Sequence, residues 1–262
     1  MNPYLLVFAA TTMLVFVFTL AWWWARACHN YSLVDAFWAA GLATTGLNFL
    51  LLAGAWNEKK CIAALLFGCW SIRLSWHLGY RIAKDHPHED RRYQALREAW
   101  KDHEGLLSFL FFQAQALSVV LLTLPFLLIG MDENTRWNFL QILGIFLLGI
   151  GILGEALADA QLASYKKNNH DPLGVCQTGL WKYSRHPNYF FEIVIWISFY
   201  LIASTTPGGW MTLYAPATMI FLLLKITGIP PSEASSLQSK GVAYRRYQQT
   251  TSVIIPWFPK KS

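Results

Sequence analysis

The sequence predicts an all-α membrane protein, a multi-pass bundle of about seven transmembrane helices with its N-terminus outside and its C-terminus inside. Three observations predict it. Of the 262 residues, 55% are hydrophobic and only 14% are charged, a balance that places the chain with membrane proteins rather than soluble domains. Seven apolar stretches, at 4–24, 33–54, 61–80, 106–129, 137–164, 188–203 and 210–226, approach the roughly 20 residues needed to cross a bilayer. The sixth is the shortest. The basic residues fall in alternate connectors: Arg26, then Arg81 to Lys101, then Lys166 to Arg185, then the C-terminal tail, against only Lys59, Lys60 and Arg136 on the other side. That asymmetry sets the orientation. It also explains the net charge of +6 without nucleic acid.

The first span starts without a basic segment and ends in Trp22-Trp23-Trp24, a poor cleavage site, so it reads as a retained helix with an interfacial aromatic anchor. Cys28, Cys61, Cys69 and Cys176 show no C-x-x-C spacing, and neither a metal site nor a disulfide framework is expected. Asp35 lies two residues into the second span. It is either a first-turn carboxylate or a carboxyl group aimed into a pocket. In the third span Trp70, Arg73, His77 and Arg81 are spaced i, i+3, i+7 and i+11, which puts them on one helix face. The connector 84–104 mixes charges with aromatics and reads as an amphipathic surface segment, in which Arg92 and Tyr93 stand out.

The fifth span contains Gly149, Gly151 and Gly154, a letter-for-letter G-x-G-x-x-G. No strand precedes it, so it is not a dinucleotide fingerprint, and small residues at these spacings instead allow close helix packing. Beyond them Glu155, Asp159 and Lys166 share a face. These acids are expected to pair with Arg73 or Arg185, or to meet a ligand. Residues 168–179 read as a turn-rich loop.

Most of the polar chemistry is packed into 179–192, where Lys182, Ser184, Arg185, His186 and Asn188 alternate with Trp181, Tyr183 and Tyr189. Pro187 suits the first turn of a helix, and the N–H groups behind it suit an anion. After the seventh span, 228–233 breaks the helix. An amphipathic tail helix follows, and 255–259 is an apolar cap expected to pack back against the body. The inner side thus gathers carboxylates, Arg and Lys residues and aromatic rings, a set suited to a large nucleotide cofactor or to S-adenosylmethionine.

The run Gly179-x-Trp181-x-x-Ser184-Arg185-His186-Pro187-Asn188-Tyr189-Phe190-x-Glu192, with Glu155, Asp159 and Gln161 before it and Tyr244-x-x-Tyr247 after it, resembles the steroid 5-alpha-reductase C-terminal superfamily. With Asp35-x-x-Trp38, Arg73, His77, Arg81, Glu89-Asp90-x-Arg92-Tyr93, the resemblance spans most of the chain and is strongest to the bacterial DUF1295-type branch. It implies one membrane domain, with residues 1–130 forming a substrate pocket and 131–262 binding NADPH. Carried over by position, the cofactor residues are Arg92, Asp159, Lys166, Trp181, Arg185, His186, Asn188, Tyr189, Glu192, Glu233, Tyr244 and Tyr247. The implied reaction is hydride transfer to an enone in a steroid-like, isoprenoid or other lipid, with no metal and no obligate protein partner, in a bacterial inner membrane.

Steroid-reducing relatives carry a Gln-Glu pair in an early span and a Tyr after the His that matches His77. Here Leu78 takes the latter place, and Asn57-Glu58, the nearest look-alike of the pair, lies in an outer connector. The carbonyl-polarising role is therefore expected of Asp35, kept protonated by burial, with His77 and Tyr80 as further candidates. The Arg185-His186-Pro187-x-Tyr189 core is shared with isoprenylcysteine carboxyl methyltransferases, which makes an S-adenosylmethionine-dependent membrane methyltransferase the alternative.

Overall fold

The computed structural model describes residues 2–169 and 171–260, and among them every regular element is helical. Helices α1 (Pro3–Ala27), α2 (Leu33–Leu52), α3 (Glu58–Asp85), α4 (Arg91–Ala99) and α5 (Glu104–Met131) form one compact unit with the turn Thr206–Gly209. Helices α6 (Phe139–Asn168), α7 (Pro187–Ala203), α8 (Tyr214–Phe221) and α9 (Ile229–Thr250) form a second, and the division falls between Trp137 and Asn138.

Six stretches are long and apolar enough to cross a bilayer: α1, α2, α3, α5, α6 and the run Gly209–Thr250. The sixth expected span, α7, has 17 residues and falls short of that length. At 1.5 Å per residue it covers roughly 25 Å, less than the ~30 Å hydrocarbon core. It is the stretch whose sequence is shortest and whose start is fixed by Pro187.

Short polar residues set the helix starts. Asn2 Oδ1 accepts from Tyr4 N at 2.9 Å ahead of α1, and Asn57 Oδ1 accepts from Lys60 N at 3.0 Å ahead of α3. Asn57 is thus a cap on α3. At α6 the reciprocal pair is complete: Leu140 N donates to Asn138 Oδ1 at 2.9 Å and Asn138 N donates to Gln141 Oε1 at 3.2 Å, which satisfies two end groups at once. The break expected over 228–233 is confined to Gly228, and residues 229–233 already belong to α9.

In the first unit α2 packs against α1, α3 and α5. Its Gly46 lies directly under the Phe67 ring, which sits 4.1 Å from the Phe126 ring by centroids. Any side chain at 46 would displace that pair. In the second unit α6 and α7 make the most extensive helix contact. A Cβ at Gly151 would lie 2.6 Å from Ile195 Cγ1, and one at Gly154 would enter the Phe191 ring. Gly151 and Gly154 of the G-x-G-x-x-G letters therefore form the packing seam that sequence position suggested, while Gly149 faces open space.

Candidate functional site

In the second unit the stretch expected to hold an anion is a connector sewn to the C-terminal segment. A 3-10 turn, Gly179–Lys182, precedes Ser184, Arg185 and His186, and α7 starts at Pro187 as expected. Arg185 is buried, at 7% exposure. Its Nε donates to Glu233 Oε1 at 2.7 Å, and its Nη1 donates to the carbonyls of Gln248 at 2.9 Å and Thr251 at 2.6 Å. Arg185 N donates to Ser252 O and Trp257 N donates to Tyr183 O, each at 2.9 Å. The Tyr247 hydroxyl donates to the carbonyls of Trp181 and Ser184, and Trp181 Nε1 donates to Ala158 O at 2.9 Å. The Arg185 guanidinium and the Tyr247 phenol thereby tie the connector to α9 and its end, largely through backbone oxygens, and the Trp181 indole ties it to α6.

Glu233 also accepts from Gln248 Nε2 at 2.8 Å and faces His186 Nε2 at 3.2 Å. An ionised carboxylate only accepts, so the proton of His186 sits on Nε2 and its Nδ1 is the acceptor. Burial pushes the imidazole below its ordinary value, against the opposing pull of Glu233, so the ring is neutral at neutral pH. The His186 ring stacks on Tyr189, with centroids 5.3 Å apart and planes 3° from parallel.

Asp159 on α6 and Asn188 and Tyr189 on α7 are half-buried, and Lys166 is exposed. Asn188 Nδ2 lies 3.4 Å from Asp159 Oδ1, while Asn188 Oδ1 accepts the Tyr189 N–H at 3.0 Å. One of the helix-start N–H groups expected to face an anion is thus capped from within. Trp181, Arg185, His186, Glu192, Tyr244 and Tyr247 are all buried, and Glu192 accepts from Trp196 Nε1 at 2.9 Å. The twelve residues expected to contact a cofactor therefore divide by position. Arg185 pairs with Glu233 rather than with Glu155 or Asp159, because the tail brings an acid and two carbonyls to its buried fork.

A separate recess of about 430 Å³ lies between the end of α6 and the following loop, lined by Gln161, Ser164, Tyr165, Asn168, Asn169 and Thr178. Its α6 residues centre roughly 160° around the helix from Asp159 and Lys166. Gln161 Oε1 also accepts Leu180 N at 2.8 Å. The lining is neutral, offering hydrogen bonds without charge.

The first unit carries its own polar lattice. Asp35 Oδ2 accepts from Arg81 Nη2 at 3.1 Å and from Arg92 Nη2 at 2.9 Å, and Asp35 Oδ1 accepts from the Tyr93 hydroxyl at 2.5 Å. Asp35 receives two guanidiniums and a phenol and so acts as an acceptor here, in place of the donor expected of it. Asp90 caps α4 through Arg92 N at 3.0 Å and binds the Arg92 side chain. Burial alone would raise the Asp90 carboxyl, but its bonds to Arg92 outweigh that and hold it below the ordinary carboxylate range. Burial, then the charge of Asp35, pushes the Tyr93 phenol well above its usual value, so it stays protonated. Arg97 continues the lattice to Glu89 at 3.0 Å and Glu104, and covers the Tyr31 ring at 4.2 Å.

His77 and Tyr80 are exposed and make no hydrogen bond among the described residues, and they do not join this lattice. Arg92, expected at the cofactor, is held by Asp35 and Asp90. What the sequence reading missed is Arg81 as a partner of Asp35. Its position on the Arg73–His77 face was visible, but its distance to an acid 46 residues earlier was not. No group of three or more His, Cys, Asp or Glu residues able to hold a metal occurs among the described residues.

Comparison with known proteins places these clusters in a family. Residues 21–251 match the model of a family described as "Protein of unknown function (DUF1295)". The chain belongs to that family, which is related to steroid 5-alpha-reductase-like proteins. It is also similar to an uncharacterized protein of Schizosaccharomyces pombe, 28% identical over 257 residues, which cover 87% of this chain and 73% of the relative. No solved structure matches the chain significantly.

Proposed function

From this family membership and from the cluster that α6, α7, their connector and α9 build, we propose that the protein is a membrane-embedded, NADPH-dependent reductase. Its substrate would be an activated carbon–carbon double bond in an isoprenoid, steroid-like or other lipid. The observation that carries the reading is the pair Asp159–Asn188. It is half-buried, with the amide 3.4 Å from the carboxylate, and it is mounted on a frame that Arg185, Glu233 and Tyr247 lock from behind.

The donor set fits a dinucleotide. A carboxylate beside an amide suits ribose hydroxyls and a carboxamide, exposed Lys166 suits a phosphate, and the stacked His186–Tyr189 pair offers a flat face. In this reading Asp159, Lys166, Asn188 and Tyr189 touch the cofactor. Trp181, Arg185, His186, Glu192, Glu233, Tyr244 and Tyr247 hold the frame. NADPH, when bound, supplies the hydride.

Within the first unit, the donor best suited to a carbonyl oxygen is Arg81. One of its Nη groups rests on Asp35, and its other donors have no acceptor among the described residues. A guanidinium held in place by a carboxylate is a pre-oriented donor for a developing enolate. Asp35 then acts by positioning Arg81 and Arg92. In the proposed topology the basic connectors and the C-terminus face inward.

Mass spectrometry of the protein extracted in mild detergent tests the proposal. Co-purified NADP(H) is the expected result, and S-adenosylmethionine in its place would favour the methyltransferase that shares the Arg185-His186-Pro187-x-Tyr189 core.

A further inference from the structure

The sequence predicts that 255–259, within the C-terminal segment 251–260, folds back on the body as an apolar cap. Its backbone does so, but its large side chains do not. Ser184 Oγ donates to Ile254 O at 2.8 Å, Trp257 N donates to Tyr183 O at 2.9 Å and Lys260 N donates to Thr250 O at 2.8 Å. Yet Ile255 is 62% exposed, Trp257 69% and Phe258 76%. A segment held this firmly, with three large apolar side chains turned outward, presents a built surface rather than a loose end.

The anchoring points fix its level. Tyr183 and Ser184 stand three to four residues before Pro187, where α7 starts. Exposed Lys182 and Lys260 flank the start of α7, and charged side chains are excluded from the hydrocarbon core, so the first turn of α7 lies at the edge of that core. The tail tied to the preceding residues then lies in the headgroup layer. Its composition suits that layer. Trp257 and Phe258 adjoin, with ring centroids 6.4 Å apart, and Phe258 meets Tyr183 edge-on at 6.0 Å, the amphipathic aromatic pattern of a membrane interface. Lys182 and Lys260 are both exposed beside it. Neither 179–189 nor 251–260 contains an acidic residue.

We infer that the Ile255–Phe258 edge is an interfacial membrane anchor, inserting its apolar side chains at the headgroup–acyl boundary while Lys182 and Lys260 rest on anionic lipid phosphates. Apolar insertion combined with basic flanks is how interfacial segments hold to a bilayer. The anchor ties the connector that carries Arg185 and His186 to the membrane surface. This inference does not depend on which cofactor the protein uses.

The test places the full chain in lipid nanodiscs of phosphatidylcholine, with or without phosphatidylglycerol. A bimane label is attached at Phe258→Cys, in a background where Cys28, Cys61, Cys69 and Cys176 are replaced, with Asp171→Cys in the polar loop as the comparison. Lipids brominated near the glycerol end of the acyl chain should quench the label at 258 several-fold more than the label at 171. Phosphatidylglycerol should increase that quenching, and Lys182→Ala with Lys260→Ala should remove the increase. Because the cysteine replacements can disturb folding, the wild-type chain is also labelled with a membrane-partitioning carbene probe, which should modify Trp257 or Phe258. Equal quenching at 258 and 171 without carbene modification would overturn the inference, as would protection of 258 by cross-linking to a second copy. Quenching at 258 that is equal in the two lipid mixtures would overturn the role given to the lysines.

Discussion

Arg185 and Glu233, 48 residues apart in sequence, meet at 2.7 Å between Nε and Oε1 with both side chains largely out of solvent. The contact joins the connector before α7 to the first turns of α9. Its remaining guanidinium bonds go to the Gln248 and Thr251 carbonyls. Removing one partner of such a pair leaves the other as an uncompensated buried charge.

Arg185→Ala is therefore expected to destabilise the protein by about 3–5 kcal/mol, read as a lowered midpoint in thermal unfolding in detergent. Glu233→Gln retains an acceptor for Arg185 and should cost less. A double-mutant cycle should show strong coupling between the two positions. Additive effects would place the pair outside the frame.

The α6–α7 seam gives a second expectation. Gly154→Leu forces a side chain into the Phe191 ring, and Gly151→Leu forces one against Ile195. Each is expected to cost about 1–3 kcal/mol or more. Gly149→Leu should be nearly neutral, since a Cβ there meets nothing within 4 Å.

A pH dependence follows from His186. Its folded value lies below the ordinary one because burial disfavours the charged ring. The unfolded chain therefore takes up a proton first as pH falls, and stability decreases on acidification from about pH 7 toward the folded value. Unfolding midpoints measured between neutral pH and pH 5.5 should decline for the wild-type protein. They should decline less steeply for His186→Gln. A slope unchanged by the substitution would contradict a ring kept neutral by burial.

Asp35 supports a prediction that separates positioning from binding. Arg81→Ala removes the proposed oxyanion donor, and enone-driven NADPH oxidation should fall on the order of a hundredfold with NADPH affinity unchanged. Asp35→Asn weakens the hold on both guanidiniums and should lower turnover in the same direction by a smaller factor. It should also make the 86–103 region more susceptible to proteolysis, because α4 loses the Asp35 bonds to Arg92 and Tyr93. If Asp35→Asn left both proteolysis and turnover unchanged, the lattice would have no part in the site.

Helix existence and the packing role of the fifth-span glycines were legible because each rests on local pattern. Apolar length marks α1, α2, α3, α5 and α6, Pro187 marks the start of α7, and small residues mark a seam. What was not legible depends on contacts across sequence distance. Nothing near Asp35 announces that two arginines from α3 and α4 neutralise it, so burial alone suggested a protonated acid. Nothing near Arg185 shows that the tail supplies Glu233 and two carbonyls. A motif of polar and aromatic residues identified where the chemistry gathers, while the division into frame and exposed face required the fold. The tail shows the same limit: its prolines and aromatics indicated a cap, and the outward orientation of Trp257 and Phe258 emerged only with its backbone partners.

Equilibrium binding to the purified protein, titrated in parallel with NADPH and S-adenosylhomocysteine and repeated for Asn188→Ala and Asp159→Ala, is the most direct test of the cofactor site. Saturable NADPH binding, weakened about tenfold or more by either substitution, a loss of roughly 1.4 kcal/mol or more, is the expected result, with no binding of S-adenosylhomocysteine. Saturable binding of S-adenosylhomocysteine with no binding of NADPH would contradict it.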